Sequence, residues 1–156
     1  MPLKNKDFLI RALEPKDIPR LIELSEAHAW YEGAKYNRTG KEEKLQTHFF
    51  KEEGKIKCWV VEIEGFLEGY VVLSLEFSTW DADYYYHMDC LFITEKVRGN
   101  GIGSEILIKI KEFANAQKIE QIQWQTPIEN IRAIDFYLNN GAISKDKKRF
   151  YMTSGS

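Results

Sequence analysis

The chain is poor in the features that mark a special environment. It has two cysteines in 156 residues, Cys58 and Cys90, both in apolar, strand-like stretches and neither with a cysteine or histidine at zinc-ligand spacing. That excludes a disulfide framework and a structural zinc site, and it reads as two reduced core thiols in a cytosolic protein. No metal is expected. No apolar run approaches the roughly 18 residues that a membrane span needs. The opening MPLKNKDFLIRALEP has no apolar signal region, so the expected location is cytoplasmic, with no membrane partner. Net charge is only −2, which gives no basic field to gather nucleic acid. No repeat, linker or low-complexity tract divides the sequence, and residues 1–156 read as a single domain.

What is present is ordinary in bulk and specific in detail. Hydrophobic residues make up 44% and charged residues 29%, as in a soluble globular protein with one real core. Aromatics reach 13%, enough for a dense core or a ring-lined cleft. FLIRAL (8–13) is short and β-compatible. EPKDIPRLIELSEAHAWYE reads as a helix, with Pro15 in its first turn, Asp17 at its positive end, and Ile18, Leu21, Ile22 and Ser25 on one face. KEEKLQTHFFKEE (41–53) predicts a second, shorter helix on Leu45 and Phe49. KIKCWVVEIEG and GYVVLSLEF (69–77) predict strands, with GFLEG between them as the hairpin, and YYYHMDCLFIT (84–94) another. Ile102, Ile106, Ile110 and Phe113 recur at helical spacing. IEQIQWQT (119–126) predicts a strand, ENIRAIDFYLNNGA a helix capped by Asn130 and stopped at Gly141, and RFYMTS a final strand. The order is β, α, α, three strands, then α, β, α, β: a mixed α+β fold with a β–glycine loop–α–β unit inside it.

That glycine loop, VRGNGIGSEIL, carries the first chemical signal. A helix N-terminus offers unpaired N–H groups and about half a positive charge. Glycines ahead of it let the loop amides turn inward as an anion cradle, suited above all to a phosphate or pyrophosphate. Arg98 at its mouth adds a forked cationic donor. A P-loop needs lysine after its last glycine, but Gly103 is followed by Ser104. A dinucleotide fingerprint needs G-x-G-x-x-G at a first βαβ unit, but this unit comes late and reads R-x-x-G-x-G. The common nucleotide folds are therefore excluded.

Arg98-Gly99-Asn100-Gly101-Ile102-Gly103 resembles the [Q/R]-x-x-G-x-[G/A] motif of the GNAT superfamily of acetyl-CoA-dependent N-acetyltransferases, and FYLNNGA (136–142) is similar to that family's F-Y-x-x-x-G-[FA] segment. The closer likeness is to the diamine (spermidine/spermine) and thialysine acetyltransferase branch, through WYE (30–32), FSTWD (77–81), GIGSEIL (101–107) and NIRAIDFYLNNGA (130–142). The resemblance implies a strongly bent, mostly antiparallel sheet, flanked by helices, with a splayed central strand pair holding the cofactor. It implies that Leu91, Phe92 and Ile93 pair with the pantetheine arm of acetyl-CoA. Arg98, Gly99, Asn100, Gly101, Ile102, Gly103 and Ser104 would hold the pyrophosphate, and Asn130 and Ala133 would contact the cofactor from the last helix. It also implies a homodimer, with exchange near the C-terminus that RFYM could serve.

Acetyl transfer from a thioester needs a deprotonated amine and a proton for the departing thiolate. No enzyme nucleophile is needed, so the lack of a Ser-His or Cys-His signature counts neither way. By resemblance Tyr137 is the general acid and also touches the cofactor. A phenol near pH 10 can protonate a thiolate whose thiol titrates at about 8.5. Asp89 interrupts an apolar strand, where a charge is costly without purpose. The branch has glutamate there as the base, so Asp89 is the candidate base, with His87 on the same strand face able to assist. Tyr31, Glu32, Trp80, Asp81 and Asp89 would bind the acceptor amine. His28 and His48 read as helix-surface or packing residues. The expected activity is N-acetylation of a small-molecule primary amine, a diamine, polyamine or lysine-like amine. The alternatives are a protein, peptide or antibiotic acetylase of the same fold, and a catalytically silent acetyl-CoA sensor.

Overall fold

The computed structural model describes residues 7–52 and 54–155. The leading MPLKNK and Glu53, the last residue of the expected second helix, lie outside them. The chain divides into two compact units, one ending at Trp124 and one beginning at Gln125.

The first unit is built on a five-stranded sheet in the order β1-β2-β3-β4-β5. Strand β1 is Leu9–Ala12, β2 Ile56–Ile63, β3 Phe66–Ser78, β4 Asp83–Ile93 and β5 Ile122–Gln123. The first four pair antiparallel and β5 joins β4 in parallel. The β2–β3 turn is Glu64-Gly65, at φ 52° and 79°. Positive φ at both positions makes it a two-residue primed turn, whose twist matches that of the strands. It shares only Gly65 with the GFLEG read as the hairpin, because Phe66–Gly69 belong to β3.

Helix α1 (Ile18–Tyr31) follows a single 3₁₀ turn at Pro15–Asp17 and buries Ile18, Leu21, Ile22 and Leu24. These pack with Cys58, Val60, Leu67, Tyr70, Val72 and Phe92 from one face of the sheet. Helix α2 (Lys41–Gln46) continues into a wider turn over Thr47–Lys51, and Leu45 and Phe49 close the rim of that core. Helix α3 (Ile102–Ala116) buries Ile102, Ile106, Ile110 and Ala114 at the expected spacing. Its Phe113 ring meets Trp59 at 4.9 Å and Tyr86 at 5.5 Å, so α3 covers the opposite face. Each fully buried isoleucine there would cost about 2–5 kcal/mol if cut to alanine.

One residue redirects β4. Val72 pairs with Cys90 but Leu73 pairs with Met88, leaving Asp89 as the extra residue of a β-bulge. Tyr86 and Met88 lie on the α3 face, whereas Cys90 and Phe92 lie on the α1 face. Without the bulge, four even-numbered residues would share one side.

Strand β5 is shorter than the expected 119–126. Only Ile122 and Gln123 pair, opposite Tyr86 and His87. Beyond His87 the outer edge of β4 has no strand neighbour among the described residues, so the sheet is open there. In the second unit, helix α4 runs Ile131–Asn139. Asn130 Oδ1 accepts from Ala133 N–H at 3.2 Å, and Gly141 follows at φ +91°, as the sequence implied. The expected final strand is absent: residues 149–154 form no ladder. A strand exists only through a hydrogen-bonded neighbour, and Phe150, Tyr151 and Met152 stand almost fully exposed.

Candidate active site

The end of β4 and the start of α3 form a continuous backbone surface. Thr94 N–H donates to Glu68 O on β3 at 2.8 Å. Main-chain groups alternate sides along a strand, so those of Leu91 and Ile93 face the open edge and those of Phe92 face β3. Ile93 O is taken by Arg98 Nε at 2.8 Å. Leu91 thus offers an N–H and a C=O along an edge with no neighbouring strand, a fit for an extended, amide-bearing arm.

The glycine loop continues this edge. Gly99 and Gly101 sit at φ +81° and +79°, and a Cβ built at either would meet nothing within 4 Å. Left-handed backbone therefore selects glycine here, and the space above the loop is open. Gly101 precedes α3 with no side chain to cap it. The first bond of the helix runs from Glu105 N–H to Gly101 O at 3.1 Å. The amides of Ile102, Gly103 and Ser104 thus begin the helix without intrahelical acceptors, as an anion seat requires. Asn100 stiffens the loop, its Nδ2 donating to Val97 O at 2.8 Å and Arg98 O at 3.2 Å. Arg98 turns its guanidinium over the Tyr31 ring at 4.6 Å and near that of Phe92 at 5.5 Å. These donors fit a diphosphate followed by an extended arm, the chemistry of a coenzyme A thioester.

Beside this edge lies a cluster that the sequence reading only half found. His28, set aside as a surface or packing residue, has a side chain only 16% exposed. Its ring stacks on Phe92 at 5.0 Å. Its Nδ1 lies 3.0 Å from the Tyr70 hydroxyl and its Nε2 lies 3.7 Å from Glu32. Burial holds the imidazole below its ordinary pKa, against the pull of Glu32 and Asp89 and with some help from the Arg98 charge. Burial, first, and the neighbouring Cys90 raise the Tyr70 hydroxyl, against the pull of Ser25, so it keeps its proton. The Cys90 thiol, pushed up to about 12 by burial first and the Asp89 charge second, donates to Asp89 Oδ2 at 3.6 Å. Helix α1 and strands β3 and β4 thus bring Tyr31, Glu32, His28, Tyr70 and Asp89 together. No signal in the local sequence marks His28, because its partners are 42 or more residues away, apart from Glu32.

The remaining expected site residues fall on other elements. Trp80, 98% exposed, and Asp81 sit in the β3–β4 turn. Asp83, where β4 begins, is six residues before Asp89, or roughly 20 Å of strand. His87 stands opposite Ser74 and Gln123, with no hydrogen bond or ion pair to Asp89 among the described residues. Asn130, Ala133 and Tyr137 lie on or beside α4 in the second unit. His48 forms an exposed pair with Glu52 at 3.1 Å. Hollows of about 250 and 290 Å³ open beside the β2–β3 turn and are lined by none of the expected site residues. The described residues contain no group of three metal-ligating side chains and no helix long and apolar enough to cross a membrane.

An open-edged α+β sheet with a glycine-started helix beside the free edge of β4 defines the class: a fold that presents an anion seat at one strand edge. The model of the acetyltransferase (GNAT) family matches residues 21–142, and the chain belongs to that family. It is an acetyltransferase. Bovine (Bos taurus) thialysine N-epsilon-acetyltransferase is 29% identical over 142 residues, covering 86% of this chain and 83% of that protein. Among solved structures, an aminoglycoside acetyltransferase from an uncultured soil metagenomic sample superposes with a TM-score of 0.83 at 18% identity, over 97% of this chain and 99% of its own. The aminoglycoside acetyltransferase AAC(6')-Iy, solved with a bisubstrate analogue of CoA, gives 0.79 at 11% identity, over 95% and 99%. These two likenesses are of fold.

Proposed function

We propose that the protein transfers the acetyl group of acetyl-CoA to a primary amine of a small molecule, and that the acceptor is lysine-like, with diamines and polyamines as the neighbouring class. One observation carries this reading: the anion-seating loop and open β4 edge stand beside the acidic cluster of Glu32 and Asp89 with Tyr31. The thialysine-acetylating relative supports a lysine-like acceptor.

Acetyl-CoA supplies the activated acyl thioester. In this reading the amides of residues 99–104 and Arg98 hold the diphosphate, while Leu91 and Ile93, with Phe92 between them, align the arm. Asn130 and Ala133 contribute from α4. Glu32 and Asp89 hold the acceptor's ammonium by charge, and Tyr31 offers it a ring face. Asp89 supplies the negative charge for its deprotonation, alone, through a neighbouring histidine or through water. Tyr137 protonates the departing sulfur. Residues 1–156 act as one domain, in the cytosol. The chain pairs as a homodimer, a reading supported by the exposed Phe150–Met152 segment and checked by light scattering.

The test is CoA release with lysine analogues, diamines, polyamines and aminoglycosides. A lysine-like amine should give the highest kcat/KM. Release with none of these amines overturns the acceptor assignment. Tyr137→Phe should lower turnover about a hundredfold or more while calorimetric binding of acetyl-CoA survives. An unchanged turnover would remove Tyr137 from the mechanism.

A further inference from the structure

His28 is a largely buried titratable group near the proposed acceptor site that the reading above leaves without a role. Its Nδ1 lies 3.0 Å from the Tyr70 hydroxyl, and its Nε2 lies 3.7 Å from the Glu32 carboxylate. A neutral imidazole carries one N–H and one lone pair. With the hydrogen on Nδ1, donating to the Tyr70 oxygen, Nε2 is a bare lone pair beside that carboxylate. Two acceptors pointing at one another call for a donor between them. An ammonium nitrogen seated about 2.9 Å from each satisfies both.

We propose that His28 Nε2 is the proton acceptor of the reaction, receiving the acceptor's ammonium between itself and Glu32. The proposal rests on the amine acetyltransferase reading above and names the base which that reading leaves open. One N–H proton passes to Nε2. The freed lone pair forms the N–C bond as the C–S bond breaks. The sulfur takes a proton from Tyr137, and the nitrogen's second proton restores Tyr137. The proton on Nε2 leaves through Glu32, whose side chain is 35% exposed, so one proton is released per acetylation. The titratable and charged groups facing His28 are Glu32 at the end of α1, Tyr70 from β3, Asp89 from β4 and Arg98 from the loop. Burial keeps the imidazole neutral at pH 7, ready to accept. Tyr70 acts as a positioning residue that fixes the tautomer.

Two measurements test this. In ¹⁵N-histidine-labelled wild-type protein without ligand, His28, identified by loss of its signal in His28→Asn, should show Nδ1–H with bare Nε2 and titrate below pH 6.5. Tyr70→Phe should weaken that tautomer preference. A predominant Nε2–H form, or a charged ring at pH 7, overturns the proposal. His28→Asn keeps an N–H donor near the Nδ1 position but has no base. Its kcat/KM at pH 7 should fall about a hundredfold and the acid limb of its pH profile should disappear, with calorimetric acetyl-CoA binding unchanged. A variant within threefold of wild type, with the same acid limb, overturns it. If wild-type protein acetylates no amine, the acceptor assignment fails instead, and the tautomer then decides for or against His28.

Discussion

Helix α1 has a charged cluster at each end, and the two are built on opposite rules. At the N-terminal end every buried carboxylate meets a cation. Arg11 grips Asp17 with both terminal nitrogens, at 2.8 and 3.0 Å, and reaches Glu62 with Nε at 3.4 Å. Glu68, also buried, accepts from Thr94 and pairs with Lys96 at 3.1 Å and Arg20 at 3.9 Å. At the C-terminal end, Glu32 and Asp89 form no ion pair with lysine or arginine among the described residues. The nearby cation, Arg98, lies over the Tyr31 and Phe92 rings instead. Satisfied charge holds a structure together, whereas carboxylates left without a cationic side chain are where a cation from outside would be held.

The comparison breaks most sharply at Asp17. Its carboxylate accepts both Arg11 bonds and the Glu14 N–H at 2.8 Å. Asp17→Asn leaves Arg11 with only the longer contacts to Glu62 at 3.4 Å and Glu14 at 3.7 Å as charge partners, and should cost about 3 kcal/mol of stability in urea unfolding, with kcat/KM little changed. Glu32→Gln should do the reverse. Half-exposed and without a cationic partner to strand, it should move stability by less than about 1 kcal/mol. It should lower kcat/KM for a cationic acceptor roughly tenfold, a loss of about 1.4 kcal/mol in transition-state binding. Equal stability losses at the two positions would erase the distinction.

Local rules made part of this legible in the sequence. The Asn130 cap, the Gly99–Gly101 loop and the Ile102, Ile106, Ile110 stripe follow from spacing within a few residues, and each stands where expected. Asp89 was conspicuous as a charge in an apolar strand, but its place as the bulge depends on the register against Val72 and Leu73, which no single strand encodes. His28 packs, as one of its two readings had it, but its partners Tyr70, Phe92 and Asp89 are brought in by the sheet and leave no mark beside it in the sequence. RFYMTS has strand-forming residues, yet propensity supplies no hydrogen-bonded neighbour.

Acid should separate the two ends. Arg11, by hydrogen bonding first, holds Asp17 below the usual carboxylate range. Its contribution is therefore complete above about pH 4 and lost as the pH falls through the lower folded value. His28 is depressed by burial, so the unfolded chain binds its proton first. Stability should thus decline as the pH falls below 6.5 and level off once the folded ring is charged. Urea midpoints measured from pH 7 to 3 should show both declines in wild type. His28→Asn should flatten the upper one and Asp17→Asn the lower. A variant that flattens both would mean the clusters are coupled.

The smallest effect tests whether burial, and not charge pairing as such, sets the first rule. Arg20 bonds Glu23 at 2.8 Å, as short as Arg11 to Asp17, but the Glu23 side chain is half exposed. Water screens such a pair, and ordering its two long side chains offsets the gain. Arg20 also keeps other partners when Glu23 is lost, donating to Leu67 O at 3.0 Å and lying 4.2 Å over the Phe66 ring. Glu23→Gln should therefore change stability by no more than about 0.5 kcal/mol. A loss approaching that of Asp17→Asn would show that the N-terminal end of α1 depends on its whole chain of charges, Glu23 included, and not on the buried pair alone.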